Sequence, residues 1–329
     1  MHLPTEQTKP DYWVIVPTYN PGQECWLQWI AALKTQVPPP KQVFVVDSGS
    51  QDGTPSISKS EGFQVFTVNP AHFNHGGTRQ WALEQAIASS TAQPEFVVYL
   101  TQDALLDGPQ AIDNLLTSLQ DPQIAAAFGR QLAKPNAPWM ERHARQFNYP
   151  PQSRTVQAKD KSRLGLKVCF FSDAFAAYRL KALQAQGGFP KRVPLGEDTY
   201  VAGKLLLSGH SLHYEAQAGV YHSHHYNAIQ DFQRMFDTGV FHAQNPWLRE
   251  EFGTAEGEGL RLARSQFEFL KQIKDTHWVF GLFQMVTRNL LKLTGYRLGL
   301  HHHLLPMRLK LAFAMHKPYW TESAQHPQA

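Results

Sequence analysis

Residues 12–17, Tyr-Trp-Val-Ile-Val-Pro, form a short apolar run that ends at Thr-Tyr-Asn-Pro-Gly22, and helical spacing follows from Trp26 to Thr35. That order reads as strand, loop and helix. The pattern recurs in Gln42-Val-Phe-Val-Val-Asp47, a buried strand ending at an acidic residue, followed by Ser-Gly-Ser-Gln-Asp-Gly-Thr54 and a short helix. Phe63–Val68 predicts a third strand and Arg79–Ala88 a helix after the pair Gly76-Gly77. Phe96–Leu100 predicts a fourth strand running into Thr101-Gln-Asp103, with a helix over Ala111–Leu119. Strands and helices alternating at these lengths imply an α/β fold with a doubly wound, mostly parallel sheet, whose ligands collect at the carboxyl ends of the strands.

After about residue 130 the pattern loosens. Lys134-Pro-Asn-Ala-Pro138 is loop material, and the polar stretch from Tyr149 to Arg163 reads as an exposed, mobile segment of the length that lids often have. Order resumes at Val168–Phe171 and Ala174–Tyr178, with a helix over Leu180–Gln186, a glycine turn at Gly187-Gly-Phe-Pro190, a helix from about Val201 to Leu207, and a strand ending in Ala218-Gly-Val-Tyr-His222.

The totals narrow the class. In 329 residues, 42% hydrophobic and 18% charged content describe a folded chain with a sizeable core. Two cysteines, Cys25 and Cys169, are too few for a disulfide framework and read as buried small hydrophobes in a reducing cytoplasm. The residues from Met1 to Pro10 lack a signal-peptide core, and no stretch approaches about 18 uninterrupted apolar residues, so a cytoplasmic protein is expected. The net charge of +4 is unevenly placed: between Asp275 and Glu322 there is no acidic residue, while Arg288, Lys292, Arg297, Arg308, Lys310 and Lys317 alternate with Trp278, Phe280, Phe283, Leu290, Leu291, Leu304, Leu305 and Phe313. Such a segment suits the surface of an anionic membrane, and equally a pair of helices packed on the main domain with solvated basic faces. The rest of the chain is not basic enough for nucleic acid.

Candidate chemistry lies in the acids. Glu197 and Asp198 stand together at a helix start, where the helix dipole favours negative charge by roughly 0.3–1 kcal/mol. A general base and a helix cap both fit that position. Asp47 and Asp103 each end a strand, where a turn or cap role competes with ligand binding, and topology favours the latter.

In order and spacing, several short segments resemble the inverting nucleotide-sugar glycosyltransferases of family 2, which have the GT-A fold. They are Val16-Pro-Thr-Tyr-Asn20, Val46-Asp-Ser-Gly-Ser-Gln-Asp-Gly-Thr54, Gly76-Gly-Thr-Arg79, Leu100-Thr-Gln-Asp103, Gly187-Gly-Phe189, Gly196-Glu-Asp198 and Val220-Tyr-His222. Asn74-His-Gly-Gly-Thr-Arg79, Thr101-Gln-Asp-Ala104, Asp231-Phe-Gln-Arg-Met-Phe236, Ala255-Glu-Gly-Glu-Gly259, Gly295-Tyr-Arg-Leu-Gly299 and Met315-His-Lys-Pro-Tyr-Trp320 further resemble bacterial rhamnosyltransferases of O-antigen and related surface polysaccharides. The resemblance implies a catalytic GT-A domain over residues 1–227 and a helical, basic-amphipathic extension over 228–329.

It also implies roles. Pro17, Thr18 and Tyr19 would hold the nucleotide, with Asp47 accepting from the N3–H of uracil or thymine and Arg79 beside the base or the diphosphate. Asp103, with His222, would share Mg²⁺ or Mn²⁺ with the donor diphosphate; Gln102, grouped with the nucleotide-sugar contacts, stands where many relatives carry an acid. Asp198 would be the base, with Glu197 orienting it or the acceptor, and the Tyr149–Arg163 loop and His224-His-Tyr226 are candidates for acceptor contact. The expected reaction transfers rhamnose from dTDP-rhamnose to a lipid-linked glycan at the cytoplasmic membrane, docked through residues 278–320. A UDP-hexose donor, a nucleotidyltransferase and a noncatalytic nucleotide-sugar-binding subunit are the alternatives.

Overall fold

Each apolar run of the N-terminal half becomes a strand of one sheet in the computed structural model, which describes residues 10–254, 257–273 and 278–321. The readings at residues 1–9, Ala255-Glu256, Asp275 and Glu322 lie outside the described residues. In chain order the first elements are β1 (Tyr12–Thr18), α1 (Gln23–Lys34), β2 (Gln42–Asp47), α2 (Thr54–Ser60), β3 (Gln64–Thr67), α3 (His75–Ser89), β4 (Phe96–Leu100), β5 (Leu105–Leu106) and α4 (Ala111–Thr117). They are followed by β6 (Ile124–Leu132), α5 (Trp139–Asn148), β7 (Arg154–Val156), α6 (Lys161–Leu164), β8 (Phe175–Arg179), α7 (Leu180–Ala185), α8 (Glu197–Leu207) and β9 (Ser211–Tyr221). Helices α9 (Ala228–Gln244), α10 (Pro246–Phe252), α11 (Glu258–Gln272), α12 (Trp278–Leu300) and α13 (Met307–Phe313) form the C-terminal region.

The sheet order is β3-β2-β1-β4-β8-β6-β9-β5, with β7 also on β9. β3, β2, β1 and β4 run parallel, as do β6 and β9, so most of the paired length is parallel; β8 is antiparallel to both β4 and β6. Parallel strands need cover on both faces. β1 shows it: Trp13 and Ile15 pack with Phe44 in one core, while Tyr12, Val14 and Val16 pack with Trp26 in the other. That is why its sequence is an unbroken apolar run from Tyr12 to Pro17.

The α3 helix begins at His75, four residues earlier than the sequence pattern suggests. Asn74 caps it, its Oδ1 accepting from Gly77 N–H at 2.6 Å. The glycines lie inside the first turn because another chain segment crosses there: a Cβ on Gly76 would stand 2.1 Å from the Pro190 carbonyl oxygen, and one on Gly77 2.7 Å from that of Lys191. The close approach brings the Gly187–Gly196 loop, and with it the start of α8, against α3.

Two expectations change. The Tyr149–Arg163 segment is not an exposed lid: Tyr149 is buried against Phe128 and Phe170, and Arg154–Val156 form the edge strand β7 on the first half of β9. That pairing places β7 at the end of β9 remote from His222, so residues 154–156 are poorly placed for acceptor contact. Cys169 is buried, but Cys25 is exposed.

The C-terminal helices pack closely. α12 crosses α9 at glycines: a Cβ on Gly299 would lie 2.0 Å from the Phe236 carbonyl oxygen, one on Gly295 2.4 Å from that of Phe232, and one on Gly239 2.2 Å from that of Tyr296. The same inner face of α12 carries Arg288 and Lys292, both paired with Asp231 of α9. These two cations therefore serve the helix interface, contrary to their expected place on a solvated basic face. After α13 the chain returns to the sheet-bearing half: Arg192 donates to the Tyr319 carbonyl at 3.2 Å and lies over its ring, and His316 packs on Phe73 and His75. Backbone against backbone leaves no side chain to give way at the helix crossing. Gly299→Ala is expected to lower the free energy of unfolding by about 1–3 kcal/mol or more, measured by urea denaturation.

Candidate active site

The carboxyl edge of the sheet gathers the candidate residues. β1, β2, β4 and β9 all end there, at Thr18, Asp47, Leu100 and Tyr221, and β8 starts there because it runs the other way. Two loops are stitched together at this edge. Asn20 N–H donates to Ser50 Oγ and Gln51 N–H to Asn20 Oδ1, both at 2.8 Å, while Gly22 N–H donates to Asp52 Oδ2 at 2.7 Å.

Asp47 belongs to that stitching. It is 1% exposed, and its oxygens already accept from Thr18 Oγ1 at 3.0 Å and from the N–H groups of Gly49 and Ser50 at 2.9 and 2.8 Å. Such a carboxylate orders the loop: three of its acceptor positions are taken within the protein, where the expected partner was the N3–H of a base. The next residue, Ser48, has a buried hydroxyl with no partner among the described residues. Gln102 is likewise positional: its amide pairs with both the N–H and the C=O of Tyr19, at 2.7 and 3.1 Å. Pro17 and Thr18 lie beneath this junction, and the Tyr19 side chain is exposed above it.

Asp103 faces two histidines. Its Oδ2 is 3.3 Å from His222 Nε2 and 3.6 Å from His224 Nδ1, and one ligand atom from each of the three lies within 4.8 Å of the others. His222 is oriented from behind: Nδ1 is 2.9 Å from Gln131 Oε1, and the Gln131 amide nitrogen donates to Ser172 Oγ at 2.7 Å. An amide oxygen only accepts, so Nδ1 carries a proton and Nε2 is the ring atom turned to the Asp103 carboxylate. A carboxylate oxygen and a ring nitrogen so placed can both turn to one cation, and the orienting partner is the usual support of a metal-bound imidazole. Burial raises the Asp103 pKa, but the His222 hydrogen bond and the charges of both histidines outweigh it and leave the carboxyl well below its ordinary range. Burial takes His224 down to about 3. Both groups are therefore in the ligand form at neutral pH. His224, expected on the acceptor side, lies in the candidate metal cluster with Asp103 and His222.

The acidic doublet opens α8 after Gly196, which has φ 84°. Its two members differ sharply. Glu197 is buried, with Oε1 2.9 Å from Arg79 Nη1, and Arg79 Nε lies 3.4 Å from Asp173 Oδ2. Asp173 in turn accepts from Tyr178 OH at 2.6 Å. Arg79 is therefore locked beneath the doublet by two carboxylates and by the His75 carbonyl, and does not reach for a base or diphosphate as expected. Asp198 is only half-buried; its Oδ1 accepts from Thr199 N–H at 2.6 Å, while Oδ2 makes no hydrogen bond to another side chain among the described residues. Burial and the neighbouring Glu197 charge raise its pKa to about 6, against the backbone hydrogen bonds and Arg79. The helix-start position thus lowers a pKa that other forces raise further, and the result is a stronger base that is still ionised at neutral pH. Glu197 moves the other way: burial opposes its charge, but Arg79 and His75 hold it ionised. Asp173, which no sequence motif had singled out, is pushed up by burial.

A profile of glycosyl transferase family 2 matches residues 13–187. The chain belongs to that family. It is 40% identical over 311 residues to the O-antigen chain rhamnosyltransferase WbaN of Salmonella anatum, covering 94% of this chain and 96% of that one. It is also 40% identical over 308 residues to the O-antigen chain rhamnosyltransferase RfbN of Salmonella typhimurium LT2, covering 93% and 95%. Among solved structures, the mannosyltransferase PcManGT of Pyrobaculum calidifontis, in complex with GDP-Man and Mn²⁺, superposes with a TM-score of 0.59 at 18% identity, over 88% of each chain. The protein is a glycosyltransferase of GT-A fold with a C-terminal helical region.

The geometry of the doublet separates its members experimentally. Asp198→Asn is expected to lower kcat by about 10²–10⁴-fold. Glu197→Gln should keep activity within about tenfold while moving the acid limb of the pH–kcat/KM profile, expected near pH 6 in the wild type, to lower pH, because a charge that raises the Asp198 pKa is gone.

Proposed function

We propose that the protein transfers rhamnose from dTDP-rhamnose to a hydroxyl of a lipid-linked surface glycan, with inversion at the anomeric carbon. The observation that carries the chemistry is the contrast within the doublet: one carboxylate is accessible and basic, the other buried and paired. Asp198 Oδ2 removes the acceptor hydroxyl proton as that oxygen attacks the anomeric carbon from the face opposite the nucleotide. Glu197 and Arg79 fix the orientation of Asp198 and the first turn of α8. Asp103, His222 and His224 would hold Mg²⁺ or Mn²⁺, which supplies positive charge against the departing nucleoside diphosphate. Thr18, Tyr19 and the loop held by Asp47 and Gln102 border the nucleotide. Likeness over nearly the whole chain to two O-antigen rhamnosyltransferases supports rhamnose as the sugar and a growing surface polysaccharide as the acceptor.

A membrane-surface location fits the outer face of α12. Val279, Phe283, Val286, Leu290 and Leu293 recur at helical spacing and are all exposed, opposite the face that packs on α9. Trp278 and Phe280 extend the apolar surface at one end and Leu304, Met307 and Leu309 at the other, with Arg297, Arg308 and Lys317 exposed beside them. No described helix is long and apolar enough to cross a membrane. An apolar face with flanking cations instead suits the plane of an anionic bilayer.

Two measurements test these readings. Purified protein with Mg²⁺ should transfer rhamnose from dTDP-rhamnose to lipid-linked acceptor and lose activity with chelator; a panel in which only UDP-hexoses transfer would overturn the donor. Phe283→Glu with Leu290→Glu should cut sedimentation with phosphatidylglycerol vesicles at least about tenfold while leaving transfer to a soluble acceptor analogue intact.

A further inference from the structure

The burial of Arg79 removes the cation that sequence motifs place at the diphosphate. A nucleoside diphosphate carries two to three negative charges, and a divalent ion beside Asp103 supplies a net charge of only about one against them. A further cation at the mouth of the site has work to do there.

Arg234 of α9 is such a cation. It is exposed, and among the described residues no carboxylate pairs with it. Its guanidinium lies 5.8 Å from the centre of the Tyr226 ring, with Nη1 3.5 Å from the Tyr226 hydroxyl. Tyr226 stacks on His224, centroids 5.1 Å apart and planes 19° from parallel, and His224 is part of the cluster with Asp103 and His222. The Arg234 charge also bears on His224, on His75 and on Glu197 of the doublet. It is thus within electrostatic reach of both the candidate metal ligands and the doublet.

The helix is held so that Arg234 stays there. One turn before it, Asp231 is tied to Arg288 and Lys292 of α12; one turn after it, Asp237 Oδ2 accepts from the N–H groups of Met315 and His316 at 3.1 and 2.9 Å. The Tyr226 carbonyl accepts from Arg288 Nη2 at 2.7 Å, which fixes the platform beneath the guanidinium. Arg145, the other arginine near the cluster, is committed through Nε to the His222 carbonyl at 2.7 Å. Arg234, whose one hydrogen bond among the described residues is the long contact from Nη1 to the Tyr226 hydroxyl, keeps most of a planar fork that matches two phosphate oxygens at once.

We propose that Arg234 binds the diphosphate of the nucleotide-sugar donor, so that the C-terminal helical region contributes a ligand-binding residue to the active site. This rests on membership of the glycosyltransferase family and not on the choice of rhamnose or thymine. Titration of UDP, dTDP and GDP with Mg²⁺ into wild type, Arg234→Ala and Arg234→Lys tests it, with uridine, thymidine and guanosine as phosphate-free probes. In Arg234→Ala the nucleoside diphosphate that the wild type binds is expected to lose about ten- to hundredfold in affinity, with nucleoside affinity and melting temperature unchanged and partial recovery in Arg234→Lys. Unchanged diphosphate affinity overturns the proposal, as does an equal loss for nucleoside and diphosphate. If only the KM for lipid-linked acceptor rises, the phosphate ligand is the acceptor's, and the donor assignment fails. A wrong sugar or base assignment would show instead as a different preferred nucleotide in the wild type.

Discussion

Arg79 lies in the interior with Glu197 on one side and Asp173 on the other, and much of the site follows from that bridge. It joins three elements, α3, the start of α8 and the segment before β8, that are far apart in the chain. Three carboxylates around one arginine cannot all be ionised cheaply in a medium that screens poorly. The cluster resolves the conflict by keeping Glu197 charged against Arg79 while Asp173 and Asp198 hold their protons more tightly. Breaking such a buried bridge by removing one partner typically costs about 3–5 kcal/mol, because the remaining charge is stranded. The same interaction therefore anchors the fold locally and gives two adjacent acids opposite pKa shifts.

The C-terminal helices depend on a different constraint, close contact without side chains. Gly239, Gly295 and Gly299 let the backbones of α9 and α12 touch, which turns one face of α9 inward and leaves the opposite face of α12 bare. Asp231 and Asp237 then fasten α9 at successive turns, to α12 and to the returning tail. Packing, surface chemistry and the approach of α9 to the candidate metal ligands are consequences of one helix crossing.

Much of the fold was legible in the chain. The apolar runs of β1, β2 and β4 are uninterrupted because helices cover both sides, and that pattern is local. The glycine pair before Arg79 was visible as a motif, but its cause, the crossing of Pro190 and Lys191, joins residues more than a hundred positions apart. The polar segment after Tyr149 looked like a loop because an edge strand of three residues is too short to show periodicity, and its partner β9 supplies the order. In the site, Asp103, His222 and Asp198 were singled out by motif, and the fold gathers Asp103 with His222. His224 was seen but placed on the acceptor side, and Asp173 was missed because β8 runs antiparallel, so that its beginning, not its end, lies at the site edge.

By itself the sequence determined which side chains exist at strand ends and helix starts, hence the fold class, the family and the acids available for chemistry. Only the tertiary structure decided what each could do. Asp47 and Gln102 became fasteners of loops, Arg79 the buried partner of Glu197, and Arg234 a cation with no carboxylate partner among the described residues, beside the stack that leads to Asp103. The reason is that a carboxylate or guanidinium takes its role from burial and from the charges around it. Those come from residues distant in the chain, and local spacing does not encode them.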